Sequence, residues 1–289
     1  MPAWRSEAVE ILIQVPPKGS ARLAPEVAYA FDLAALFKGR VTALVYEVDV
    51  FSAEEEDEEE VEEDVVVVAK TGAAPVERVT AAQAATRDAL RRLAEAKGVE
   101  LEVITGRNYA FTILETLADY ARLSDIVFLG IDSPLGFPYR QLAEYALFET
   151  GRPVLLAPPG AQPRIDRVAI AWDATRAATR ALHAATPFMQ HAKEVVVVSV
   201  SDDKDFRSEQ SGVELCRRLA HRGVTARFHS AVRGGRDIGA AIVETCTELD
   251  ADLLVMGAQR HSRLREIIFG SATRAIFDEG PRLPVLLAN

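Results

Sequence analysis

The sequence predicts an α/β protein built from two tandem open five-stranded parallel sheets, each with helices on both faces. Three observations predict it. Short apolar runs alternate with helix-length amphipathic segments along the chain, the order that gives parallel strands joined by right-handed crossovers. The order occurs twice: DIVFLG at Asp125 answers DLLVMG at Asp252, and PVLLA at Pro153 answers PVLLA at Pro284, at spacings of 127 and 131 residues. Between the two passes lies Pro158-Pro159-Gly160-Ala161-Gln162-Pro163, a stiff stretch unsuited to a helix. The expected units are 1–158 and 164–289, with 159–163 as linker.

In chain order, Val9–Val15 reads as a strand ended by Pro16-Pro17, and Pro25–Phe37 as a helix by its apolar spacing. Val41–Tyr46 is a second strand. Val65–Val68 extends a strand or a hairpin. Ala74–Lys97 is an alanine-rich helix stopped by Gly98. Val99–Ile104, Ile126–Gly130 and Pro153–Ala157 are strands, separated by helices over Phe111–Leu123 and Arg140–Glu149. In the second pass, strands fall at Val168–Trp172, Glu194–Val200, Val224–His229, Leu253–Met256 and Pro284–Leu287. Helices fall at Thr175–Met189, Phe206–Arg222, Asp237–Leu249 and Ser271–Asp278.

Composition narrows the function classes. With 289 residues, 49% of them hydrophobic, the chain can bury two ordinary cores. No apolar run approaches the roughly 20 residues of a membrane span. MPAWRSEAVEILIQV carries charges where a signal peptide would have its apolar centre, so a soluble cytoplasmic protein is expected, with no membrane partner. Cys216 and Cys246 both sit in helical patterns and read as buried reduced thiols, and no Cys/His cluster has metal-ligand spacing. The net charge of −10 is local: Glu54–Asp64, EEEDEEEVEED, holds ten acidic residues, and the rest is close to neutral. Such a run stays solvated, as an insertion in a surface loop or a docking site for a basic partner. No nucleic-acid partner is expected.

The densest chemistry lies in Asp252–Ile276, DLLVMGAQRHSRLREIIFGSATRAI. An apolar run ends on Met256-Gly257, and a basic loop with Arg260, His261, Arg263 and Arg265 follows. Gly270-Ser271-Ala272 then opens a helix. A helix start offers unpaired N–H groups and partial positive charge, which suit phosphate. Glycine lets backbone come close to a ligand. The same residues also read as a strand-end turn and a helix cap, and Asp173 reads equally as an N-cap for the helix at Thr175.

The second unit resembles a universal stress protein domain. The family's ATP-binding members carry Gly, two residues, Gly, nine residues, Gly, then Ser or Thr. Here Gly257, Arg260, Gly270 and Ser271 stand at those places with that spacing, Arg260 replacing the second glycine. AIAWDATRAATRAL puts Asp173 where the family has an Asp after its first strand, and Val200 ends the second strand, where a backbone group lies near the adenine. The resemblance implies an adenine-nucleotide-binding, Rossmann-like fold and a site for ATP, with or without Mg²⁺. Asp173 would take the adenosine end, Val200 and Met256 would border it, Gly257 would take the pyrophosphate, and Gly270, Ser271 and Ala272 would take the terminal phosphates. Arg260 either pairs with a phosphate or blocks its approach. The family also pairs two copies through their last strands, which implies that the halves pair within this chain; a further dimer of chains stays open.

The first unit departs from the pattern. Pro16 stands where the adenosine-side Asp is expected, Arg140-Gln141 fall at the Gly-Ser position, and Asp132 adds negative charge where phosphate would sit. This unit is expected to bind no ATP and to act as a structural partner. Two functions follow: a stress-response or regulatory module with one nucleotide site, or a nucleotide-free scaffold that contacts an unknown protein. No catalytic set appears: there is no nucleophile elbow, no GxxxxGK[ST] loop and no carboxylate pair over the phosphate loop. Slow ATP hydrolysis or self-phosphorylation remains compatible with the resemblance.

Overall fold

The computed structural model describes residues 8–17, 23–49, 80–109, 112–131, 139–201, 206–263, 266–269 and 271–289. The acidic run, Val65–Val68 and the first residues expected in the Ala74–Lys97 helix lie outside them, as do Asp132 and Gly270.

The first unit runs β1 (Glu10–Gln14), α1 (Pro25–Leu36), β2 (Arg40–Asp49), α2 (Ala81–Lys97), β3 (Glu100–Tyr109), α3 (Ile113–Ala121), β4 (Ile126–Gly130), α4 (Tyr139–Thr150) and β5 (Val154–Ala157). The second runs β6 (Arg167–Ala171), α5 (Arg176–Ala184), α6 (Thr186–His191), β7 (Glu194–Ser201), α7 (Phe206–His221), β8 (Ala226–Val232), α8 (Ile238–Glu248), β9 (Leu253–Gly257), β10 (Arg260–Arg263), β11 (Glu266–Phe269), α9 (Ser271–Glu279) and β12 (Val285–Ala288).

Local chemistry accounts for several boundaries. Thr80 and Gln83 form a reciprocal capping box at the start of α2, and Gly98 ends that helix in the left-handed conformation. The expected single helix Thr175–Met189 is broken at Ala185, because Pro187 cannot continue α5 but suits the first turn of α6. The expected basic loop after Gly257 is a β-hairpin, with Arg260 opposite Phe269 and Arg263 opposite Glu266.

The ten long-range strands form one sheet in the order β3-β2-β1-β4-β5-β12-β9-β6-β7-β8, so each half repeats one order and its strands are internally parallel. The halves join through antiparallel β5 and β12, with Leu155 opposite Leu286. Those two leucines are equivalents 131 residues apart, so a pseudo-twofold axis passes between them. The same 131-residue offset aligns Tyr139-Arg140, one residue earlier than expected, with Gly270-Ser271 in sequence. The antiparallel join leaves the end of β5 and the start of β6 at the same end of the strands, which the linker spans.

Two apolar layers flank the sheet, and each runs across both halves. One buries α1, α2, α5, α6 and α7 against residues such as Ile11, Leu155 and Val255. The other buries α3, α4, α8 and α9 against Leu12, Leu156 and Leu254. The duplication reaches single hydrogen bonds. Asp125 accepts from the Glu10 amide at 2.8 Å, and Asp252 accepts from the Arg167 amide at the same distance. Asp252, its side chain only 7% exposed, also holds Arg164 Nε at 2.6 Å. Replacing Asp252 with Ala leaves a donor unpaired and is expected to cost about 2–3 kcal/mol in urea unfolding. The more exposed Asp125 should cost less on the same replacement.

Cys216 and Cys246 are free and buried, and burial pushes the Cys246 thiol up to about 12. Among the described residues no helix is long and apolar enough to cross a membrane.

Candidate functional site

In an open parallel sheet the ligand crevice lies beyond the carboxyl ends of the strands, where the strand order reverses. In the second unit that point falls between β6 and β9. Asp173 follows β6, and Met256-Gly257 close β9.

The corner at Asp173 is a small hydrogen-bonded turn. Asp173 Oδ1 accepts from the Thr175 amide at 3.0 Å and from its hydroxyl at 2.7 Å. Thr175 in turn caps α5, its Oγ1 accepting from the Ala178 amide at 3.2 Å. Thr175, not Asp173, is therefore the N-cap; Asp173 steadies the cap and keeps its carboxylate exposed to solvent. Ala174 between them has φ 59°, a left-handed conformation that costs an alanine about 1–2 kcal/mol. The turn is anchored from below. Trp172 Nε1 donates to Ser211 Oγ at 3.0 Å, and the buried Ser199 hydroxyl donates to the Trp172 carbonyl at 2.7 Å.

Gly257 has a packing reason of its own. A Cβ there would lie 2.5 Å from backbone atoms of Ala177 and Ala178, so α5 rests directly on the end of β9. This contact brings the Asp173 turn and Gly257 to one corner. Gly257→Ala would force α5 away and is expected to cost about 2–3 kcal/mol, read as a lower melting temperature. Met256 is buried and pairs with Leu287 of β12. Val200 lies near the end of β7, paired with Ala231 of β8 and partly buried.

Arg260 opens the hairpin and Ser271 opens α9, with the hairpin between them. The first-turn amides of α9 have no intrahelical acceptor, so Ser271 and Ala272 supply donors. α8 fixes this turn: a Cβ on Gly239 would lie 2.9 Å from Ala272 Cα. The corner thus has an exposed carboxylate on one side and helix-start amides on the other, donor chemistry that fits a nucleotide's phosphates and acceptor chemistry that fits its sugar or base.

The matching corner of the first unit is filled differently. Gly130 is the equivalent of Gly257, and the buried Glu26 in the first turn of α1 leans over it, 3.2 Å from an added Cβ. A carboxylate thus stands where the second unit has Ala177. At the other side of that corner, Tyr139 and Arg140 turn toward α9. Tyr139 Oη donates to the Phe277 carbonyl at 3.0 Å, and Arg140 pairs with Asp278 at 2.7 Å. Sequence reasoning missed Glu26, Ala174 and the Trp172–Ser199 support. The Trp beside Asp173 was the visible signal for the last; Glu26 gave none beyond its place in a first turn.

Residues 164–288 match the model of the universal stress protein family. Solved structures extend the likeness of fold to the whole chain. A universal stress protein from Archaeoglobus fulgidus DSM 4304 is 17% identical, with 96% of each chain covered and a TM-score of 0.60. A functionally unknown protein from Pseudomonas aeruginosa PAO1 is 16% identical, with 98% of this chain and 93% of that one covered and a TM-score of 0.59. The cytoplasmic domain of a prokaryotic cation chloride cotransporter is 13% identical, with 97% and 95% covered and a TM-score of 0.51. At these identities the likeness is one of fold, and function rests on the site. No curated protein matches the chain.

Proposed function

We propose that the chain is a stress-response or regulatory protein that binds ATP in its second unit, with the first unit as its structural partner. The observation that carries the reading is the second-unit corner itself, where the Asp173 turn, Gly257 and the start of α9 flank the switch point. Support comes also from the family match, which covers this unit. Asp173 would accept from the ribose or the adenine amine, with Val200 and Met256 beside the adenosine. The backbone at Gly257 and Gly270 and the amides of Ser271 and Ala272 would hold the phosphates, and Arg260 would add a cation there. The first unit, with Pro16, Glu26 and Arg140 at its matching places, would take none.

Thermal unfolding with and without Mg-ATP tests this. Ligand at about 100 times its dissociation constant stabilises the native state by roughly 2.7 kcal/mol. For a chain of this size that is a rise of about 5–10 °C. No rise at millimolar ATP would leave the nucleotide-free scaffold as the reading.

A further inference from the structure

We propose that the first unit sets the affinity of the second for phosphate, through a clamp that Tyr139 and Arg140 place on the far end of α9. The inference rests on the nucleotide reading above and concerns which residues hold the phosphate-binding helix in position.

α9 is short, nine residues, and its amino end carries the proposed donors. It buries Ile276 and Phe277 in the layer it shares with α3, α4 and α8. The hairpin leading into it pairs only with itself among the described strands and joins no strand of the ten-stranded sheet. α8 holds the first turns of α9 at Gly239, against Ala272 and Ala275. The other end is held from the first unit. Tyr139 Oη donates to the Phe277 carbonyl at 3.0 Å, one of the last four carbonyls of α9, which lack intrahelical donors. Arg140 reaches Asp278 at 2.7 Å and lies 5.8 Å from the centre of the Phe277 ring. The Tyr139 and Phe277 rings sit 6.2 Å apart. Glu144, one turn along α4, holds the same guanidinium at 2.7 Å and fixes its direction.

The pair therefore fixes the tilt of a short rod whose other end would meet the ligand. At the 131-residue offset of the repeat, Tyr139 and Arg140 align in sequence with Gly270 and Ser271. The first unit has exchanged a ligand-facing helix start for a contact with its sister unit.

The test is the double variant Tyr139→Phe/Arg140→Ala in the full chain, with calorimetric affinities for ATP and for adenosine. The expected result is ATP binding weakened about tenfold, within the usual range of coupling between separated sites. Adenosine affinity should stay near that of the parent. Equal loss for both ligands would mean general damage and would overturn the proposal, as would unchanged ATP affinity. If the parent itself binds no ATP, the nucleotide reading fails, and the clamp is tested without ligand. Amide exchange over 271–279 should then be faster in the double variant, and an unchanged rate would overturn the clamp.

Discussion

Leu286→Ala is expected to cost about 3 kcal/mol, and Leu286→Asp to prevent cooperative folding. Leu286 is fully buried at the pseudo-twofold axis, directly opposite Leu155 on β5. Its side chain fills the layer that α1, α5 and α6 share across both halves. Truncating a buried leucine removes its transfer free energy and leaves a cavity, together about 2–5 kcal/mol. A carboxylate at the same place would be buried without a partner, at a cost comparable with the roughly 5–15 kcal/mol that holds an ordinary domain together. Chemical unfolding followed by circular dichroism reads both. Leu123→Ala serves as the control, since Leu123 is 76% exposed and surface changes stay within about 0.5 kcal/mol. If Leu286→Ala behaved like Leu123→Ala, the central β5–β12 join would not be part of the cooperative unit.

Gly270→Glu is expected to abolish ATP binding while leaving the fold intact. The substitution sets a carboxylate at the start of α9, where the proposed site needs donors and positive potential. Repulsion from a triphosphate at a few ångströms amounts to several kcal/mol in a partly desolvated site, a loss of well over 100-fold. Arg260→Gly separates the two roles open to that residue. Weaker ATP binding means that the guanidinium holds phosphate; tighter binding means that its bulk stood in the way. Both are read by calorimetry, with adenosine as the ligand that lacks the charge.

Much of the architecture was legible because it is written in strand cores. Parallel strands covered on both faces must be apolar on both, so LLVM and PVLL stand out, and their recurrence announces the duplication. The duplicated Asp before β4 and before β9 was visible as a letter, but its bond to the first strand's amide was not. What could not be read depends on small residues meeting across long stretches of chain. Gly257 looked like a phosphate glycine, and nothing local said that Ala177 and Ala178 would rest on it. Glu26 is an ordinary first-turn acid until the sheet brings it over Gly130. The hairpin was hidden because RHSRLREIIF has too many charges to resemble a strand pair, and the break before α6 because apolar helical spacing continues through Pro187.

The most direct measurement is calorimetric titration of the full chain with Mg-ATP, reporting stoichiometry as well as affinity. The account predicts one nucleotide per chain, and none in Gly270→Glu. Two nucleotides per chain, or one that survives in Gly270→Glu, would contradict it, because the first unit or another surface would then be the binder.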